Sequence, residues 1–373
     1  MPRTMQFQKS FDDLIMSLPL PVHLKENEIP EQPNSCFICI SGFESRCLAA
    51  ATQLAAMNWH TTVAICIHYA QEEMLSVNDR HKDKLYESLR QVAGSNPIPL
   101  EHDDHDFEVD FGDQLLKTLS DKGLDTCSRD THIIFDITVG SSRLLLEGLH
   151  ALLTSGVSLT VVYSEATTYR PFFKEYQEYL EETRKKEVSA PEFLSSGVEN
   201  VELIKRISGH NADQRPTYLI ALPSFNPIRI GAVLDELSPS RVYWLYSMPH
   251  LANNRWRIDA QRDYHKRLIE HLHRHCYIST FDYTETLAVL ESIYHKTRND
   301  YNMLVCSLSS KLQKLGQVLF HILRPEVGAI VSVPKTWDPD RYSDDDPRAI
   351  YSIPLGSCPK LRENLWLTRM LRL

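Results

Sequence analysis

Apolar residues in this chain gather in short unbroken runs instead of alternating with polar ones. Cys36–Ile40, Thr62–Tyr69, His132–Thr138 and Ser158–Tyr163 are such runs. Between them, apolar positions recur at helical spacing over 44–57, 71–93, 110–120 and 143–154. An apolar run without alternation predicts a strand buried on both faces, and a helix between two such strands predicts parallel pairing.

The pattern then breaks. Residues 166–212 mix Tyr169, Tyr176 and Tyr179 with the charge run Glu181–Lys186, which predicts a polar helix and a linker. A second series follows: strands at 217–222, 241–246, 301–307 and 328–333, with helices at 228–237, 259–275, 283–297 and 311–323. The expected fold is therefore α/β, with two tandem Rossmann-like units, mainly parallel sheets, a helical linker and a C-terminal extension. The expected boundaries are a lead-in over 1–34, a first unit over 35–165, the linker over 166–212, a second unit over 213–335 and the extension over 336–373. The extension ends in an apolar segment (Leu365, Trp366, Leu367, Met370, Leu371) that needs a surface to bury against.

Composition narrows the function classes. A net charge of −9 argues against a broad nucleic-acid surface or an anionic membrane as partner. No apolar run approaches the roughly 18 residues of a membrane span. Eight cysteines are scattered, several inside apolar runs, and the start lacks an apolar signal core, so a cytoplasmic protein is expected. His102–Asp106 holds metal-ligand residue types, and His271, His273 and His275 fall on one expected helix. Cys36 and Cys39 lie inside a strand without a second pair, and neither His group has a ligating pattern, so no metal is expected. No phosphate-binding P-loop, nucleophile elbow or Ser-His-Asp ordering is present, so no cofactor is expected and catalytic residues stay unassigned.

The candidate chemistry lies where strands run into helices. Asp136, Thr138, Gly140, Ser142 and Arg143 follow one strand, and Ser309, Ser310 and Lys311 follow another. Each segment places hydroxyls, backbone N–H groups and a cation at a helix N-terminus, which suits an anion such as phosphate. Glu44 and Arg46, past Gly42, and Arg229, past Ser224–Asn226, occupy matching positions after earlier strands. Tyr169 with Arg170 offers an aromatic and a cation for a base and a phosphate. Lys314 lies one turn beyond Lys311, and Gly316 would let that helix approach the sheet closely.

Asp136-Ile137-Thr138-Val139-Gly140-Ser141-Ser142-Arg143 resembles the strand–loop Asn-x-Thr-Gly-Gly-Thr-Lys of CARF domains, the Rossmann-like sensors of cyclic oligoadenylates in bacterial CRISPR immunity. The likeness covers about eight residues and the sheet order around them, with Asp136 where that family has Asn. It implies a nucleotide-binding sensor or regulator in a bacterial antiviral defence system. It also implies a phosphate-bearing nucleotide ligand, with room for a protein partner in a defence complex and for a homodimer. Two other readings stay open. One is an enzyme acting on a nucleotide or phosphodiester, with Asp136 or Glu44 as carboxylate and Arg143 or Lys311 as the cation. The other is an adaptor that binds a protein through 334–373 and the tyrosine-rich linker.

Overall fold

The computed structural model describes residues 11–25, 29, 32–70, 79–185, 190–191, 193, 195–269, 274–339 and 347–370. The chain divides into two compact units, Met1–Thr167 with Asp344–Leu373, and Thr168–Ser343.

In the first unit, strands β1 (Val22–His23), β2 (Ser35–Ile40), β3 (Val63–Tyr69), β4 (Ile98–His102), β5 (His132–Asp136) and β6 (Ser158–Ala166) are joined by helices. These are α1 (Ala49–Ala56), α2 (Lys82–Ala93), α3 (Phe111–Asp121) and α4 (Ser142–Thr154). The second unit contains α5 (Phe173–Lys185), β7 (Ser195–Ser196), β8 (Asn200–Leu203), β9 (Thr217–Leu222), α6 (Pro227–Leu237) and β10 (Arg241–Met248). It continues with α7 (Trp256–Ile269), β11 (Arg274–Ser279), α8 (Tyr283–Thr297), β12 (Asn302–Ser307), α9 (Lys311–Leu323), β13 (Gly328–Val333) and β14 (Thr336–Trp337). The chain then returns to the first unit as β15 (Pro347–Ser357) and α10 (Cys358–Met370).

The first sheet runs β1-β15-β6-β5-β2-β3-β4, and the second runs β11-β10-β9-β12-β13-β8. From β6 to β4 all neighbours are parallel, as are those from β11 to β13. Each parallel core is flanked on one side by an antiparallel strand, β15 in the first unit and β8 in the second. The two units therefore share one topology. The first strand is central, the next two lie to one side of it, and the last two to the other.

Burial explains the unbroken apolar runs. Every residue of β2 and β5 is buried, and Phe37, Cys39, Ala64, Cys66 and Ile134 pack with Leu85, Leu89 and Val92 of α2. In the second unit Leu219, Ala221, Leu304, Cys306 and Ile330 pack with Ile230 and Val233 of α6.

Several expectations are corrected. Residues 336–373 are not an appendage, because β15 pairs along β6 and Leu365 of α10 is buried. Trp366, Leu367 and Met370 remain exposed, and Leu371 lies outside the described residues. The stretch expected as a linker supplies β8 to the second sheet. The helix expected over 259–275 ends earlier, and His275 sits in edge strand β11. His271 and His273 lie outside the described residues, as do 71–78 of the expected 71–93 helix. Gly316 serves helix packing, not the sheet: a Cβ there would stand 2.2 Å from the Tyr283 carbonyl oxygen of α8.

Candidate functional site

In an open parallel sheet, ligands sit beyond the carboxyl ends of the strands where the strand order reverses. That point lies between β2 and β5 in the first unit and between β9 and β12 in the second. The sequence candidates fall on the loops leaving these strands.

In the first unit the cations are neutralised internally. Arg46 pairs with Glu44 at 2.5 Å and donates to the Ser164 carbonyl at 2.7 Å, with both side chains buried. Arg143 pairs with Glu147 at 3.0 Å, one helical turn on, and donates to the carbonyls of Asp103 at 2.9 Å and Val109 at 2.7 Å. Its guanidinium also lies 4.2 Å from the Phe107 ring centre. Arg143 is thus a clamp on the acidic loop 103–109.

Asp136 faces inward as well. Its Oδ1 accepts from the Thr138 N–H at 3.0 Å and from the Thr138 hydroxyl, and the latter accepts from the Ser164 N–H at 2.9 Å. Burial pushes the Asp136 carboxyl up to about 6, against the opposing effect of the Thr138 hydrogen bonds and of Arg46. A Cβ on Gly140 would stand 2.5 Å from Leu145, so this glycine admits a side chain of its own unit. One on Gly42 would meet Val139 at 3.2 Å, which places the two crevice loops in contact.

Ser141, not Ser142, caps α4. Its hydroxyl donates to Asp104 Oδ1 at 2.6 Å, the oxygen that His102 Nε2 also contacts at 3.0 Å, and its N–H donates to the Tyr69 hydroxyl at 2.6 Å. Ser142 is half-buried at the first helical position. Sequence reasoning missed Tyr69 and Glu147, and met Asp104 only as one of the metal-ligand residue types over 102–106. Glu147 left a signal in its i,i+4 spacing from Arg143.

The second unit brings Lys314 to the matching place. Lys314 is 1% exposed, and its Nζ donates to the Ser309 carbonyl at 2.5 Å. Burial, then repulsion from Lys311 and from Arg229, hold its ammonium well below the ordinary lysine range. Among the described residues no carboxylate offsets these effects; the opposing influence is the Cys306 thiol, itself pushed up to about 12 by burial. Arg229, on the first turn of α6, donates to the Ser332 carbonyl of β13 and lies 5.4 Å from the Trp337 ring centre. The Ser332 hydroxyl is fully buried and makes no hydrogen bond among the described residues.

The frame around these cations is rigid. Ser310 and Gln313 form a capping box on α9. The Ser310 hydroxyl donates to the Thr280 carbonyl at 2.7 Å, and Gln313 Nε2 donates to the Ser279 carbonyl at 3.0 Å. Ser247 donates to Gln313 Oε1 at 3.1 Å, so α9 is tied to the ends of β10 and β11. Asn226 caps α6 and donates from Nδ2 to the Ser195 carbonyl at 2.8 Å, fixing β7 beside the α6 start. The Ser309 and Ser307 hydroxyls are 3.0 Å apart, and Lys311 is half-buried at the mouth of α9.

The candidates therefore separate. Lys311, Ser309 and Arg229 join Lys314 in the second unit, while Ser310 is committed to capping. Glu44, Arg46, Asp136, Thr138, Gly140 and Arg143 hold the first unit together. At the expected base-and-phosphate pair, the backbone carbonyls of Tyr169 and Arg170 accept from Arg257, and the Arg170 guanidinium pairs with Glu175 at 2.5 Å. Among the described residues no group of three or more His, Cys, Asp or Glu is arranged for a metal ion, and no helix is long and apolar enough to cross a membrane.

No family model matches the sequence, and no curated protein matches it. Among solved structures, the chain is similar to a type III CRISPR defence DNA nuclease activated by cyclic oligoadenylate. The TM-score is 0.43 and the identity 9%, over 76% of this chain. The match spans 63% of that protein's length.

Proposed function

We propose that the protein is a nucleotide-binding sensor or regulator whose ligand places a phosphate at the strand-order reversal of the second unit. One observation carries this reading: the buried Lys314 is opposed by two cations and offset by no carboxylate among the described residues. A cation is costly to bury without a counter-charge, and structural lysines are therefore paired. An anion beside Lys314, at the start of α9, supplies that charge. The place in a bacterial antiviral defence system comes from the resemblance of residues 136–143 to the CARF loop.

The test is a panel of mononucleotides, dinucleotides and cyclic oligonucleotides, screened by thermal shift and confirmed by titration calorimetry. Binding is expected from a phosphate-bearing member, with loss of at least about tenfold in affinity in Lys314→Met or Arg229→Met, the cost typical of one charge-assisted contact. Unchanged affinity in both variants contradicts the assigned site. No binding across the panel contradicts the nucleotide reading itself.

A further inference from the structure

His250 and Phe281 follow the carboxyl ends of two neighbouring strands, β10 and β11. Their ring centres lie 4.7 Å apart, with the planes 35° from parallel. His250 is exposed and Phe281 half-buried. We propose that this pair is the stacking platform for the base of a nucleotide whose phosphate sits at the start of α9. The proposal rests on the nucleotide reading above and adds where the base lies and how it is recognised.

The fold ties the pair to the α9 start. Thr280, the residue before Phe281, accepts at its carbonyl from the Ser310 hydroxyl that caps α9, at 2.7 Å. The Thr280 N–H donates at 3.0 Å to the carbonyl of Met248, two residues before His250. Gln313 Nε2, on the first turn of α9, holds the Ser279 carbonyl at 3.0 Å. Phe281 is therefore one residue from direct contact with the α9 cap, a spacing that a base, a ribose and a 5′-phosphate bridge. At the phosphate end, Lys314 is 1% exposed. Among the described residues its side chain makes one hydrogen bond, to the Ser309 carbonyl at 2.5 Å, and no ion pair. An ammonium has three donors, and a buried one needs a counter-charge.

The polar groups beside the rings are engaged with the backbone of their own turn. The Ser279 hydroxyl accepts from the N–H groups of Phe281 at 3.1 Å and Asp282 at 3.0 Å. Asp282 Oδ1 caps α8 through the N–H groups of Thr284 at 2.9 Å and Glu285 at 3.3 Å. Glu285 Oε2 accepts from the Ser279 N–H at 2.7 Å. These contacts fix the turn that presents Phe281 and point to recognition through the ring faces. Every base has a π-face, so stacking holds a base without reading its edge. The site should accept purine and pyrimidine nucleotides alike.

The experiment is titration calorimetry of the full chain with AMP, UMP and ribose 5-phosphate, on the wild type, Phe281→Ala, Phe281→Tyr and His250→Ala. AMP and UMP are expected within about tenfold of each other, and both tighter than ribose 5-phosphate. Phe281→Ala should weaken AMP by about fivefold to a hundredfold and leave ribose 5-phosphate unchanged. Phe281→Tyr should keep the wild-type affinity for AMP. His250→Ala, at the exposed ring, should show the same contrast as Phe281→Ala and serves in its place if that variant does not fold. Equal affinity for AMP in the wild type, Phe281→Ala and His250→Ala overturns the proposal and leaves the phosphate site standing. So does a loss that falls equally on AMP and ribose 5-phosphate, because it marks a structural role. No binding by any of the three probes overturns the nucleotide reading itself, and the proposal with it.

Discussion

Lys314 and Arg324 are both buried cations of α9's neighbourhood, at 1% and 0% exposure, and they should respond in opposite directions to the same change. Arg324 donates to Glu291 through Nη2 at 2.7 Å and through Nε at 3.0 Å, inside a network that includes His295. Arg324→Met leaves the Glu291 carboxylate buried without its guanidinium partner. Removing one partner of such a pair costs about 3–5 kcal/mol. Lys314→Met instead removes a charge that two cations repel, and Met has nearly the same length and volume. Replacing buried ionic groups by apolar ones is neutral or stabilising by about 1–4 kcal/mol, and the lost bond to the Ser309 carbonyl takes back about 1 kcal/mol. The net gain is about 0–3 kcal/mol. For a unit of this size that is a rise of up to about 10 °C, against a fall of more than about 6 °C in Arg324→Met. Differential scanning calorimetry without ligand reads both. A residue that weakens the fold while serving a ligand is expected at a binding site. A lower melting temperature in Lys314→Met would overturn this expectation, because it would make Lys314 a paired structural lysine.

The same accounting of charge and space extends to other residues. Because Lys314 is depressed in the folded state, stability rises with pH toward its unfolded value near 10.5, so the advantage of Lys314→Met should shrink between pH 7 and 10 in urea titrations. Asp136 is raised instead, to about 6 from 3.8, so its contribution is present below pH 4 and lost as pH rises through 6. Asp136→Asn should accordingly raise stability by about 1–3 kcal/mol at pH 7 and make little difference at pH 4, and a gain confined to low pH would count against the assignment. Arg143→Met should lower the melting temperature through the broken Glu147 pair, at a cost of about 3–5 kcal/mol, while leaving ligand affinity unchanged. Gly316→Ala, a change that stabilises most helices, should here destabilise by about 1–3 kcal/mol because the new Cβ meets the Tyr283 carbonyl.

The central strands were legible because burial on both faces forces an unbroken apolar run, as in Cys36–Ile40 and Thr217–Leu222. The edge strands were not. In β4, exposed Pro99 and Glu101 flank buried Leu100, and in β11 Arg274 and His275 are exposed, so each reads as loop or helix surface. The place of β15 depends on pairing with β6, far away in the chain, and no local pattern encodes that. At the site, sequence located the loops, because small polar residues and a basic residue after a buried strand mark a helix start. It could not tell which cations were already neutralised. The Arg143–Glu147 spacing hinted at this, whereas the Asp103 and Val109 carbonyls under Arg143 come from a separate loop. The sequence places Lys314 one turn beyond Lys311, and only the packing of α9 within the second unit shows that it is buried.

Hydrogen-exchange mass spectrometry with saturating AMP distinguishes the two crevices, since it shows which unit the nucleotide touches. Protection is expected in peptides covering 224–231 and 307–316, with those covering 41–48 and 137–145 unchanged. Protection confined to 41–48 and 137–145 would return the ligand to the first unit and overturn the second-unit site.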